Sequence, residues 1–276
     1  MALSRCPFRP GMVSAHPAAI PASWLLPKNP DVAALGVSAA CLRPQSEAGL
    51  TNIPTGRYVL AMEQDIAEKP NAKAAAREAT RARLLETGFT LIREKGLAAT
   101  RVDDICTAAG VTKGGFFHHF ASKDAWAAEV ARHWGRVTSG LFEGAPYHEP
   151  ADPLDRVLGY IAFRRAILDG STADFTCVAG TLAQETHLSD RAVCEAAEET
   201  IFGHADSLVP DISLAKQQYA SDADWTAESL AHFTQATLQG AFILAKARGG
   251  PEIAREMVDH LDRYVRLLFG AAHPPP

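Results

Sequence analysis

The five cysteines of the chain, Cys6, Cys41, Cys106, Cys177 and Cys194, lie far apart, and no two stand at CxxC spacing. That scatter excludes a zinc module and a disulfide framework, and it suits a reducing cytoplasm. No apolar run approaches the ~18 residues that a membrane span requires, so no membrane association is expected. An excess of positive charge is also missing: 27 Lys and Arg face 32 Asp and Glu, a net charge of −5. This excludes a protein coated in nucleic acid, but not one that touches it through a small basic face. Catalytic patterns are absent as well. There is no nucleophile beside a base, no paired-carboxylate motif, no phosphate-cradling loop and no metal-ligand spacing. Asp103 and Asp104 are adjacent on a helix and face different directions, as do His118 and His119, whose side chains diverge by about 100°. No enzyme, cofactor or metal site is expected.

The 276 residues present can bury one large or two modest cores. The first sixty read differently from the rest. Prolines recur at Pro7, Pro10, Pro17, Pro21, Pro27, Pro30, Pro44 and Pro54, and they interrupt the apolar stretches near Ile20 and Leu25-Leu26, against a secretory signal. Two readings stand: a disordered extension, or upstream DNA read in frame with translation starting at Met62. After Pro70 the pattern is helical almost without pause, and strand alternation is nowhere credible. The fold class expected is all-α. Its parts are an extension over 1–70, a small helical head over 71–121, a larger helical domain over 122–270, and a disordered tail over 271–276.

The informative segment runs from Thr100 to Lys123. Thr100 and Asp103 have the S/T-x-x-D spacing of a capping box, which predicts a helix from Arg101. Ile105, Ala108 and Ala109 are its expected buried face. Gly110 supplies the positive φ of a bend, and Thr112 caps a second short helix from Lys113. Phe116 and Phe120 anchor that helix inward. Upstream, a helix from about Ala74 to Lys95 carries Leu84, Leu85, Phe89 and Ile92 on one face and closes at Gly96. Downstream, Ser122 caps a helix with Trp126, Val130, Trp134, Val137 and Leu141 on one stripe. Two short helices joined by a Gly-containing turn form a helix-turn-helix, whose second helix enters the DNA major groove.

Thr100, Asp104-Ile105, Ala109-Gly110-Val111, Thr112, Gly114, His119-Phe120 and Ser122-Lys123 stand in the register of the TetR-family head, which this segment resembles. The resemblance covers about 75–135. Cys106 replaces the usual alanine, and Phe117 takes the place of a tyrosine whose hydroxyl commonly meets a phosphate. The resemblance implies a transcriptional regulator, a homodimer on double-stranded operator DNA, released by an unidentified small-molecule effector. It implies phosphate contacts from Thr100, Arg101 and Lys123, and a reading edge of Thr112, Lys113, Gly114, Gly115, Phe117 and His118. Lys73, Arg77 and Arg81 are further candidates for the DNA backbone. An edge so bare leaves specificity to backbone approach, DNA shape and dimer spacing, with a modest salt dependence.

In the larger domain, helices are predicted at about 153–170, 173–186, 190–219, 223–248 and 251–269. Leu230, Phe233, Thr237, Gly240 and Leu244 form one stripe, and Ile253, Met257, Leu261, Tyr264 and Leu268 another. With the small Ala236 and Gly240 they suit a four-helix interface between two copies. Phe163, Ile167, Phe175, Val178, Leu182 and Phe202 are candidates for an effector pocket and equally for ordinary core. Cys177 or Cys194 as a thiol sensor stands against the usual role of buried cysteine as a small hydrophobe. Activation in place of repression, and a helical enzyme or a protein–protein adaptor without a DNA role, are the alternatives.

Overall fold

The structure, a computed structural model, describes residues 72–271, and among them it contains helices and no strands. The proline-rich extension, the Met62 start and all of the expected tail but Ala271 lie outside the described residues. The first helix, α1, spans Ala72–Ala99 but is broken at Gly96, whose φ of 79° only glycine adopts without strain. Helix α2 follows over Val102–Ala109, α3 over Lys113–His119 and α4 over Lys123–Glu143. Beyond a single 3₁₀ turn at Pro146–His148 come α5 (Pro153–Ala166), α6 (Thr172–Phe175), α7 (Val178–Thr186), α8 (Arg191–Asp206), α9 (Val209–Tyr219), α10 (Ala227–Arg248) and α11 (Glu252–Leu268).

The local chemistry explains most boundaries. Ser122 Oγ accepts the Ala125 N–H at 3.0 Å, and Asp152 Oδ1 accepts the Leu154 N–H at 2.7 Å with Pro153 at the first helical position. At α2 the cap differs from the expected one. Arg101, not Thr100, is the flanking residue, and its backbone N–H donates to Asp104 Oδ2 at 2.9 Å. Thr100 is buried and donates its hydroxyl to the Gly96 carbonyl at 2.6 Å, closing the end of α1. The buried face of α2 is Ile105, Cys106 and Ala109; Ala108 is exposed. The two long helices expected over 173–186 and 190–219 are each divided. The first breaks at Thr176-Cys177, where both residues are extended; the second breaks ahead of Pro210, which lacks the N–H that a continuous helix needs.

Two apolar cores form. One gathers Leu84, Phe89 and Ile92 of α1, Ile105 of α2, Phe116 of α3 and Trp126, Val130 and Trp134 of α4, together with Val178 and Leu182 of α7 and Val193 of α8. The other gathers Phe142, Leu158, Ile161, Ile212, Leu238, Phe242, Val258 and Leu261. Helix α4 serves both, the first through Trp126 and Trp134 and the second through Phe142. Its approach to α1 is close: a Cβ added at Gly88 would lie 2.6 Å from a Val130 methyl.

Each core holds a histidine, His133 buried and His204 half-buried. His133, stacked on Phe89, is pushed down to about 4 by burial, with Arg136 and Arg81 adding to it. His204, paired to the Tyr160 hydroxyl at 2.9 Å, is pushed down to about 3 by burial and by Arg164. An unfolded histidine takes up its proton near pH 6.5, so between that value and the folded pKa the unfolded chain binds more protons. Stability therefore falls as pH drops below ~6.5, by on the order of 3 kcal/mol for each histidine at pH 4. Thermal melts from pH 7 to pH 4 check this: the Tm of the wild type falls, and His204→Gln flattens the curve.

Candidate nucleic-acid interface

Helices α2 and α3 meet at the bend Gly110–Thr112. Gly110 has φ 65° and its backbone N–H reaches the carbonyls of Cys106 and Thr107. Thr112 Oγ1 accepts the Gly115 N–H at 3.1 Å, which starts α3. The short α3 is held from below by Phe116 and Phe120, which pack on each other and, through Phe116, on Trp126. That packing turns Thr112, Lys113, Gly114, Phe117 and His118 outward, all exposed, with Gly115 half-buried. Phe117 is 49% exposed and lies edge-on to Phe116.

The glycine at 114 has no reason within the protein. A Cβ there would have Thr112 Oγ1 at 3.9 Å as its nearest neighbour, an ordinary contact. An unneeded glycine on an exposed helix leaves its backbone open to a surface that comes close from outside.

The cations near this edge divide into two groups. Lys73 and Arg77 on the first turns of α1, Arg101 before α2 and Lys113 at the start of α3 are exposed. Lys113 pairs with Asp103 at 3.2 Å, but both side chains are well solvated and the pair is weak. Arg81 and Lys123 are engaged inside the head. Arg81 pairs with Glu129 of α4 at 2.9 Å and lies over the Phe120 ring. Lys123 Nζ donates to the carbonyls of Leu97 (2.9 Å) and Thr100 (3.1 Å), closing the C-terminal end of α1 as a cation favours. With Thr100 buried, three residues expected at the outer surface serve the fold instead. Lys95 likewise pairs with Asp104 at 2.6 Å, and this bond, with the Arg101 N–H, holds the Asp104 carboxyl below its usual range.

The residues expected to line a pocket are divided between the two cores, with Phe202 at the surface. Val178 and Leu182 are sealed in the core shared with the head, while Phe163 belongs to the other core, with Ile167 and Phe175 packed against it. Phe202 is 47% exposed and lies edge-on to His232.

Sequence reasoning missed the links between the head and the larger domain. Glu185 of α7 accepts the Ala98 N–H at 2.8 Å, an amide left without a helical partner by the break at Gly96. Arg93 is buried, donates to the carbonyls of Phe89 (2.8 Å) and Asp174 (3.1 Å), and lies over Trp134. Burial pushes Arg93 down to about 10, against the pull of Asp174, so it stays charged at neutral pH. The only sequence signal for these was an uncompensated charge on a face that otherwise reads as apolar.

Comparison with known proteins places the whole arrangement. Residues 84–130 match the family model of bacterial regulatory proteins of the tetR family, and residues 153–260 match that of the LmrA/YxaF-like transcriptional regulator C-terminal domain. The HTH-type transcriptional repressor DhaR of Mycobacterium sp. (strain GP1) is 29% identical over 205 residues, which cover 72% of this chain and 95% of DhaR. The repressor KstR2 of Rhodococcus jostii is 40% identical over 63 residues, 23% of this chain and 31% of that protein. A TetR-family regulator from Agrobacterium tumefaciens shares the fold at a TM-score of 0.58 and 20% identity, covering 68% of this chain and 98% of that one. SCO4454, a TetR-family regulator from Streptomyces coelicolor, does so at 0.58 and 19%, covering 74% and 96%.

The two lysines flanking α3 separate by thermal denaturation. Lys123→Ala strips two carbonyls of their donor and is expected to cost about 2 kcal/mol. Lys113→Ala is expected to stay within about 0.5 kcal/mol of the wild type. Equal melting temperatures for the two variants would remove Lys123 from the fold of the head.

Proposed function

Because the chain belongs to the TetR family and is a DNA-binding transcriptional regulator, we propose that it acts as a homodimeric repressor released from operator DNA by a small-molecule effector. The observation that carries this reading is α3: Phe116 fixes it to the core while Thr112, Lys113, Gly114, Phe117 and His118 face outward. A helix docked this way lays its N-terminal residues against base edges, with Gly115 and the backbone at Gly114 close to the DNA. Arg101, Lys113, Lys73 and Arg77 supply phosphate contacts. Phe117 offers its ring to thymine methyls or sugars where a tyrosine would offer a hydroxyl. Thr100, Arg81 and Lys123 act indirectly, by holding the elements that present these groups.

One short helix with so few base-reading side chains specifies little sequence, and a two-fold dimer doubles it. An apolar surface across α10 and α11 supports such a dimer. Phe233, Ile243 and Leu244 of α10 and Tyr264 and Leu267 of α11 are each more than 40% exposed, and the Phe233 and Tyr264 rings meet at 4.8 Å. Between them Ala236 and Gly240 present little bulk, with nothing within 4 Å of an added Cβ at Gly240. A second copy brings the same two helices and closes a four-helix contact. Control by an effector then requires that it bind one spacing of the two heads better than the other. Helix α4 and the Glu185–Ala98 and Arg93–Asp174 bonds connect effector domain and head.

Two measurements test the reading. In gel shifts with the intergenic DNA beside its own gene, the wild type gives a discrete complex. Gly114→Ala keeps or raises the Tm, by up to ~1 kcal/mol of helix propensity, yet weakens that complex; unchanged DNA affinity would remove close backbone approach from the mechanism. In analytical ultracentrifugation the wild type sediments as a dimer and Phe233→Glu/Leu244→Glu as a monomer with weakened operator binding. A wild-type monomer that binds the operator as tightly as a dimer should would sink the dimeric reading.

A further inference from the structure

Arg164, on the last turn of α5, is a cation without a counter-ion among the described residues. Among the described residues no carboxylate pairs with it, and its Nε, sealed from solvent, makes no hydrogen bond. Its guanidinium lies instead over two aromatic rings, Phe142 at 5.1 Å and Phe242 at 5.6 Å. Arginines elsewhere on the same bundle are matched: Arg165 with Asp259, Arg156 with Asp211, Arg255 with Asp169. Arg164 is half-buried, and where burial removes water from an unpaired charge the ring faces recover only part of what water supplied.

Among the described residues the nearby groups are already engaged: Asp211 beside the adjoining cleft is paired with Arg156 at 2.8 Å. The Tyr160 hydroxyl is shared between His204 Nε2 at 2.9 Å and Gln235 Nε2 at 3.2 Å, so that trio is satisfied within itself. Tyr160 and Tyr147 also border a narrow cleft whose walls carry Val157, Ile161, Leu208 and Ile212 together with Thr234 and the Arg156–Asp211 ion pair. A planar guanidinium without a hydrogen-bond partner among the described residues, lying over two aromatic rings, matches one ligand chemistry: a single carboxylate on an apolar body. A phosphate dianion would ask for a second unmatched cation, and Arg156 beside the cleft is already held by Asp211.

We propose that Arg164 anchors the effector, and that the effector is a singly charged organic acid. Its carboxylate takes the guanidinium bidentately and its aromatic or acyl body parts the rings of Phe142 and Phe242. This rests on the reading of the chain as an effector-controlled regulator and names the chemical class of that effector. It also explains how occupancy reaches the head. Phe142 lies on the last turn of α4, whose first turn follows directly on α3, so a ligand that displaces the Phe142 ring shifts the far end of the helix that carries the head.

Calorimetric titration of the full chain tests this without DNA, so its failure and that of the operator reading are seen separately. The probes are 4-phenylbutyrate and octanoate, their neutral amides, and phenyl phosphate. Either acid or both are expected to bind the wild type and Arg165→Gln alike, and to bind Arg164→Gln at least about tenfold more weakly; the amides are expected not to bind. Failure of both acids on the wild type, equal binding of acid and amide, or undiminished binding to Arg164→Gln overturns the proposal. Tighter binding of phenyl phosphate than of either acid overturns the assignment to a monoanion. Apo stability gives a second check that depends on no probe. Removing an unmatched cation by Arg164→Met is expected to keep or raise the Tm, and a fall of more than about 5 °C would make the guanidinium a packing strut and overturn the assignment.

Discussion

The indole of Trp126 is fully buried and donates its Nε1–H to the Leu84 carbonyl at 2.9 Å. That bond pins α4 across α1 at a point where Gly88 lets the two backbones approach, and the arrangement of the molecule follows from it. With α4 pinned, Phe116 and Phe120 find their seat and α3 has a fixed direction. The other end of α4, at Phe142, enters a different core among α5, α9, α10 and α11. One helix is thus a structural member of two apolar clusters, and neither can rearrange around it without the other registering the change.

The head is not a bead on a linker. Its core continues into Val178 and Leu182 of α7 and Val193 and Ala196 of α8. Two directed polar links reinforce that apolar continuity, the Glu185 carboxylate on the Ala98 amide and the Arg93 guanidinium on the Asp174 carbonyl. A backbone amide freed by a break in a helix is a sensitive place for such a link, because its alternative partner is water. Movement of α7 by a fraction of an ångström is therefore felt at the end of α1, next to Thr100 and the start of α2. An allosteric device needs two arrangements of close energy, and contacts this few and this specific are what allow one set to be exchanged for another.

Much of this was legible in the sequence. The helix-turn-helix announces itself through local rules: Gly110 for the bend, Thr112 and Ser122 for caps, Phe116 and Phe120 one turn apart. What the sequence concealed depended on contacts across the chain. A lysine after Ser122 reads as a surface cation, and only the fold reveals that the C-terminal end of α1 lies within its reach. Thr100 reads as an N-cap because its spacing to Asp103 is right, yet the break at Gly96 draws its hydroxyl backward. The stripe on α10 was visible as a period, but period alone cannot say which edge of it faces inward: Leu230 and Leu238 are buried while Phe233 and Leu244 face out. The candidate pocket residues fall in two different cores for a similar reason, since apolar character marks burial and not emptiness. Arg164 gave no sequence signal at all, being one basic residue beside another at a helix end.

The internal employment of Arg81, Lys95 and Lys123 has a consequence for how such a protein behaves in a crowded genome. Each cation tied to a carboxylate or a carbonyl is one fewer to trade for counterions along arbitrary duplex. Random DNA outnumbers the true site by many orders of magnitude, and a protein that grips it weakly is not titrated away by it. With three cations of the head engaged internally, its grip on arbitrary duplex is weaker than its count of basic residues suggests. A small number of copies then suffices to keep a site occupied.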